Sequence, residues 1–209
     1  MHLSILPSPL LGPATYAPLA EALAARGHPA RVAAVSGGSV AAVLAGFGAA
    51  SDGADVVAAH SNAGRFAAAA ADGRRTGRLF MDATLPGVPA PPELVASLRE
   101  LADEDGVLPG WTHWWPDAEV DALLGDWRAA VESEQGRWPI DFLLTDPPAP
   151  AGWEQRCGYL AFGTTYAAEL GRARDAGWPT AVLDGHHLHH LAEPDTVADA
   201  ILQLADRIR

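Results

Sequence analysis

Residues 55 to 66 read Asp-Val-Val-Ala-Ala-His-Ser-Asn-Ala-Gly-Arg-Phe, and the fold turns on how this stretch is read. The short apolar run from Asp55 to Ala59 predicts a fully buried strand. It passes without a spacer into His60-Ser61-Asn62-Ala63-Gly64, and the alanines beyond Phe66 predict a helix ending near Gly73. A strand that feeds a helix through small-x-Ser-x-small lifts the serine hydroxyl clear of the sheet and sets it at the helix N-terminus. The small residues flanking Ser61 are Ala59 and Ala63 rather than glycines, so the turn has to hold two extra methyl groups. The other reading of Ser61 is a plain helix cap, a position serine often takes.

The same alternation continues on both sides. Leu3 to Leu6 is an apolar run closed by Pro7-Ser8-Pro9, and residues 16 to 26 then show helical spacing through Leu19 and Leu23, stopped by Gly27. A second strand is expected from Arg31 to Val35, ending at Ser36-Gly37-Gly38, with a short helix around Val40 to Leu44. Arg78 to Met81 predicts a strand ending at Asp82. After the middle of the chain come a strand from Gly158 to Phe162, a helix from Tyr166 to Ala176, a strand from Thr180 to Leu183 and an amphipathic helix from Asp195 to Ile208. Strands alternating with helices imply an α/β protein with a mainly parallel sheet of about six strands.

Between Pro86 and about Arg156 the texture changes. Six of the seven tryptophans fall there together with many prolines. Helical pieces such as Pro92 to Asp103 and Glu119 to Glu132 are separated by breakers. The expectation is one domain over residues 1–209, with residues 86–156 inserted as a Trp/Pro-rich helical lid.

Composition narrows the function classes. The 209 residues carry a net charge of −12, which repels nucleic acid and anionic membrane and leaves a small molecule as the expected partner. All 14 basic residues are arginine, a pattern expected of a GC-rich coding sequence. Cys157 is the only cysteine, so no intrachain disulfide can form and a reducing, cytoplasmic setting is expected. The N-terminus lacks a basic region and its apolar stretch is broken by Pro7 and Pro9, unlike an ordinary signal peptide. The oligomeric state stays open, a homodimer included.

A second cue lies near the C-terminus, where Leu183-Asp184-Gly185-His186-His187-Leu188-His189-His190 leads from a strand end into the approach to a helix at Pro194. Together with Ser61 upstream, the sequence resembles the α/β-hydrolase superfamily, and within it a group of small actinobacterial α/β-hydrolase-like proteins. The resemblance rests on Pro7-Ser8-Pro9-Leu10-Leu11-Gly12-Pro13, Pro18 to Leu23 with Arg26-Gly27-His28, and His60 to Gly64. It rests also on Met81-Asp82-Ala83 with Leu85-Pro86, Ala176-Gly177-Trp178-Pro179 and the segment from His187 to Pro194. It implies a Ser61 nucleophile, a His187 base, selected over His186, His189 and His190 by its offset from Pro194, and acyl transfer through a covalent intermediate.

Two parts of that pattern depart here. The usual acid follows the penultimate strand, but Phe162-Gly163-Thr164-Thr165-Tyr166 brings no carboxylate before Glu169. Asp82, at the end of the strand after the elbow, is the replacement, with Asp146 behind it and a solvated or helix-capping carboxylate as the plain reading of Asp82. The oxyanion hole needs two N–H donors. Asn62 supplies one, but the loop after the first strand runs Pro7-Ser8-Pro9, and Pro9 has no N–H. Leu10 is the substitute if the loop is shifted.

Other constellations weigh less. The histidines at 186, 187, 189 and 190 have no second group of Cys, Asp or Glu at ligand spacing, so no metal is expected. Ser36-Gly37-Gly38 lacks the glycine spacing and acidic partner of a dinucleotide site, so no nucleotide cofactor is expected. Trp111, His113, Trp114 and Trp115 are expected to anchor the inserted segment, with at least one, Trp114 or Trp115, facing the pocket. The expected activity is a serine-dependent hydrolase or acyl-transfer enzyme for a small, largely apolar ester, thioester or lactone. A non-hydrolytic lyase or cyclase using His187 as acid or base is the alternative, as is a non-catalytic ligand-binding relative.

Overall fold

A computed structural model describes residues 1–35, 38–71 and 75–209. In chain order β1 (Leu3–Leu6) leads to α1 (Ala17–Ala25), β2 (Ala30–Val32), α2 (Val40–Ser51), β3 (Val56–Ser61) and α3 (Gly64–Ala70). Next come β4 (Gly77–Ala83), then α4 (Pro92–Leu101), α5 (Asp117–Leu124), α6 (Arg128–Glu134) and α7 (Ile140–Leu144). The chain closes with β5 (Cys157–Phe162), α8 (Ala167–Asp175), β6 (Thr180–Leu183), α9 (His189–Ala192) and α10 (Pro194–Ile208).

The six strands form one sheet in the order β2-β1-β3-β4-β5-β6, every pair parallel. A parallel sheet covered on both faces needs apolar side chains on both sides of each strand, which is why β1, β3, β4 and β5 are buried along their whole length. Alternate residues serve the two faces. Ile5, Val56, Ala58, Leu79, Met81 and Leu160 pack under α1 and α10, while Leu6, Val57, Ala59, Phe80 and Tyr159 pack against the other layer with Phe47 and Phe66. On α10 the buried positions Val197, Ile201, Leu204 and Ile208 fall on one helical stripe. Full burial of each such Val, Leu or Ile contributes about 1.5–3 kcal/mol.

Strand order reverses between β1 and β3, and a crevice opens at the carboxyl ends of strands where such a reversal occurs. The loop after β1 and the turn after β3 flank that crevice, so residues 7–10 and 60–62 meet there.

Several boundaries differ from the sequence reading. The second strand is Ala30–Val32 rather than Arg31 to Val35, because this edge strand pairs only with β1, whose register runs out at Ile5. The helix expected around Val40 to Leu44 extends to Ser51 through Gly46 and Gly48. Gly46 is there for space, since a Cβ would overlap the Ala34 carbonyl. The helix expected from Glu119 to Glu132 is two, interrupted at Gly125, which takes φ 50°. The helix after Ser61 ends at Ala70. Gly73, its expected end, lies outside the described residues, as do Ser36 and Gly37 of the Ser36-Gly37-Gly38 turn. Among the described residues no helix is long and apolar enough to cross a membrane.

Candidate active site

Ser61 is the last residue of β3 and holds φ 56°, a backbone conformation that costs a non-glycine residue energy and lifts its side chain out of the strand alternation. The turn closes with the Ala63 N–H donating to the His60 carbonyl at 3.0 Å, and α3 starts at Gly64. A Cβ at Gly64 would overlap the Thr84 carbonyl, so glycine at this position lets the helix lie against β4. The two alanines in place of glycines are accommodated, Ala59 and Ala63 both being fully buried.

Asp82 reaches the same place by a different local device. In the β3–β4 register His60 faces Met81 and Ser61 faces Ala83, so Asp82 is an extra residue, with φ 42°. A bulge of this kind re-aims a side chain beside a site. Asp82 is fully buried and both of its oxygens are engaged. Oδ1 accepts from the Phe162 N–H at 3.0 Å, and Oδ2 lies 2.7 Å from His187 Nδ1. His187 Nε2 in turn lies 3.0 Å from Ser61 Oγ. Because an ionised carboxylate only accepts, Nδ1 carries the imidazole proton and Nε2 presents its lone pair to the serine hydroxyl. Three residues 21 and 105 positions apart in sequence thus form one hydrogen-bonded line.

Around this line the remaining sequence candidates take up different positions. Asn62 lies at the foot of the cavity beside Ser61, and its N–H takes none of the turn's hydrogen bonds. Leu10 lines the same cavity, but its N–H is directed at Ser8 Oγ, 3.4 Å away. Trp114 and Trp115 both line the cavity, with Trp111 beside them, and Trp114 is fixed by its Nε1–H donating to the Pro109 carbonyl at 2.9 Å. Asp146 does not approach His187. It pairs with Arg65 of α3 at 2.6 Å, which ties the segment between β4 and β5 to the helix behind Ser61. The histidines beside the base are used locally. His186 Nδ1 accepts from the Leu188 N–H at 3.2 Å, His189 packs edge-on against Phe162, and His190 is fully buried. Among the described residues no group of three or more His, Cys, Asp or Glu is arranged to hold a metal ion.

Two residues that the sequence reading passed over also belong to the site. Tyr166 lines the cavity with Ser61, and its ring lies 5.4 Å from that of His187. Burial pushes this phenol up to about 12, so it remains an O–H donor at neutral pH. Its signal in the sequence is weak: a tyrosine four residues past the end of β5, where a carboxylate is the usual acid. The second is His60, whose ring stacks on His187 with centroids 4.6 Å apart. Burial, then the His190 and His187 imidazoles, hold its pKa well below the usual histidine value, so His60 is neutral.

The cavity above Ser61 measures about 700 Å³ and is mostly apolar, walled by Leu94, Leu98, Val120, Leu123 and Leu143 besides the tryptophans. That size suits a ligand of drug-like dimensions. Its charged lining is sparse, and burial raises the pKa of one of its acids, Glu169.

No protein-family model matches the sequence, and no match is found among curated proteins. Solved structures do resemble it. An extracellular α/β-hydrolase from a Paenibacillus species, described as sharing structural and functional homology with tobacco salicylic acid binding protein 2, matches with TM-score 0.74 at 14% identity, over 98% of each chain. Tomato methylketone synthase I, in complex with 2-tridecanone, matches with TM-score 0.71 at 10% identity, over 100% of this chain and 98% of that one. A pyrethroid hydrolase from Sphingobium faniae JZ-2 matches with TM-score 0.71 at 18% identity, over 99% and 97%. The chain therefore has the α/β-hydrolase fold.

Proposed function

We propose that this chain is a serine-dependent hydrolase or acyl-transfer enzyme acting on a small, largely apolar ester, thioester or lactone. The observation that carries the reading is the unbroken line from Ser61 Oγ through His187 to a buried Asp82 at the floor of an apolar cavity. Ser61 Oγ attacks the substrate carbonyl carbon as its proton passes to His187 Nε2, and Asp82 steadies the imidazolium. The Asn62 N–H donates to the oxyanion. The tetrahedral species collapses with cleavage of the C–O or C–S bond, and the leaving alcohol or thiol takes the proton from His187. Water then attacks the acyl-serine, gives its proton to His187, and the acid departs as Ser61 recovers its hydrogen.

Residues 86–156 act as a lid over this cavity, held to the body in part by the Arg65–Asp146 pair. The named neighbours support the reading in kind: two are hydrolases, and the third is described with a long-chain ketone bound. A cytoplasmic setting, based on the lone Cys157, belongs to the same reading, and so does the finer kinship with small actinobacterial members.

A second reading has its own observation. Pro9 offers no N–H, and the Leu10 N–H is turned toward Ser8 Oγ, so the loop after β1 gives neither as a free second oxyanion donor. Loss of one such donor costs about 100-fold to 1,000-fold in rate. That favours a lyase or cyclase in which His187 moves a proton without an acyl-enzyme. Hydrolysis of a p-nitrophenyl ester series from acetate to decanoate separates the two. The hydrolase reading predicts saturable turnover that falls by on the order of 10,000-fold or more in both Ser61→Ala and His187→Ala. Turnover that needs His187 but not Ser61 would remove the acyl-serine and leave His187 acting as acid or base by itself, the feature the second reading requires. Binding without turnover in the wild type would remove the hydrolase reading, and binding left unchanged by replacing both Ser61 and His187 would favour a non-catalytic ligand-binding protein.

A further inference from the structure

The side chain preceding the reactive serine does not face the cavity, yet it makes two hydrogen bonds that bracket the site. His60 Nδ1 lies 2.7 Å from the Tyr16 hydroxyl, and His60 Nε2 lies 2.9 Å from the backbone carbonyl of His187. The Tyr16 oxygen also accepts from the Ser8 N–H at 2.8 Å. Ser8, Tyr16 and His60 are at most 1% exposed.

The proton positions in this chain are determined by what each end can do. The His187 carbonyl only accepts, so His60 Nε2 must carry the hydrogen. A neutral His60 then presents an Nδ1 lone pair, and Tyr16 donates its one hydrogen there. The Tyr16 oxygen is left to receive the Ser8 N–H, and every group is satisfied. A protonated His60 would leave the Tyr16 hydrogen with no acceptor along this chain. The direction of the chain is thus fixed: Ser8 N–H to Tyr16, Tyr16 O–H to His60, His60 N–H to the His187 carbonyl.

We infer that Tyr16 and His60 form a positioning relay, which holds the loop after β1 and the peptide of the base in one fixed relation on either side of Ser61. One end of the relay is Ser8, in the loop that brings Leu10 to the cavity. The other end is the backbone of His187, whose imidazole must meet Ser61 at 3.0 Å and Asp82 at 2.7 Å. Ring stacking reinforces the hydrogen bonds, His60 on His187 at 4.6 Å and Tyr16 on His190 at 4.7 Å. No relay atom touches the reacting carbonyl, so its loss moves the catalytic groups without removing any of them. A displacement of about 1 Å in such a site costs up to about 100-fold in rate.

The inference rests on the hydrolase reading, and its test keeps the two apart. Wild type, Tyr16→Phe, His60→Phe, His60→Gln and the double variant Tyr16→Phe/His60→Phe are compared for p-nitrophenyl butyrate kinetics and for the low-field proton NMR signal of His187 Nδ1–H. The relay predicts a kcat about 10- to 100-fold lower in each phenylalanine variant with KM nearly unchanged. The double variant falls no further than the worse single one, because both cuts sever one chain. Glutamine, which can donate and accept at position 60, recovers part of kcat. The His187 signal shifts or broadens in Tyr16→Phe although Tyr16 does not touch His187. Folded phenylalanine variants with wild-type kcat, losses that multiply in the double variant, or an unchanged His187 signal in Tyr16→Phe and His60→Phe would each overturn the relay. If the wild type itself fails to turn over ester, the hydrolase reading falls and the NMR arm still decides the relay.

Discussion

His190 invites a direct test of what the buried imidazoles cost. It is fully buried, stacked on Tyr16 with an interplanar angle of 11°, and meets His60 edge-on at 4.6 Å. Neither ring nitrogen finds a hydrogen-bond partner among the described residues. Burial first, then the surrounding imidazoles, push its pKa from the ordinary 6.5 down to about 3. In the folded protein His190 stays neutral across that range, whereas in the unfolded chain it takes up a proton below about 6.5. The unfolded state then binds more protons, so stability is present in full above pH 6.5 and is lost as pH falls toward 3. The loss approaches about 1.4 kcal/mol per pH unit below 6.5 and comes to about 2.5 kcal/mol between pH 7.0 and 4.5. His60 is shifted in the same direction and adds a second proton of the same sign.

His190→Phe keeps a flat ring against Tyr16 and removes the titration. It also removes an unsatisfied N–H, worth about 1–3 kcal/mol at any pH. Urea unfolding of wild type and variant at pH 7.0, 5.5 and 4.5 reads both effects, and the difference between the two proteins cancels the surface carboxylates. The expected result is a more stable variant at pH 7.0 whose advantage grows by about 2.5 kcal/mol by pH 4.5. Parallel pH curves for the two proteins would refute the reasoning, because His190 would then titrate alike in the folded and unfolded states.

Three further outcomes follow from the site. Asp82→Asn preserves shape but can donate to His187 Nδ1 and so favours the wrong tautomer, and ester turnover should fall on the order of 10,000-fold while a melting curve stays close to wild type. Tyr166→Phe removes a neutral donor on the β5 side of Ser61, beside His187 from which the leaving group takes its proton. Comparison of ethyl and p-nitrophenyl esters should show kcat about 10- to 100-fold lower for the poor leaving group and little changed for the good one. Gly64→Ala drives a methyl group into the Thr84 carbonyl and should cost about 1–3 kcal/mol, seen in calorimetry as a lower melting temperature.

Much of this arrangement can be read from short-range pattern. A strand that ends where a helix starts marks Ser61, and the loop before Pro194 marks His187, because both signals depend on neighbours in sequence. Asp82 is legible only as a carboxylate at a strand end. The bulge that turns it toward His187 depends on register with β3, which no local pattern carries. The length of α2 was hidden because Gly46 looks like a breaker until the Ala34 backbone is seen lying against it. The converse holds at Gly125, where a glycine inside a helical pattern does break the helix, by taking positive φ. His60, Tyr16 and Tyr166 carry no local signal for one reason: the residues they meet are 44, 127 and 105 positions away, and such long-range contacts have no period to detect.

The central claim is that Ser61 is an activated nucleophile rather than a capping hydroxyl. Incubation of the folded protein with a fluorophosphonate, followed by peptide mass spectrometry, measures this directly. The account predicts one adduct per chain on the peptide holding Ser61, formed far more slowly in His187→Ala and absent in Ser61→Ala. Folded wild-type protein that stays unlabelled, or that labels at a residue other than Ser61, would contradict it.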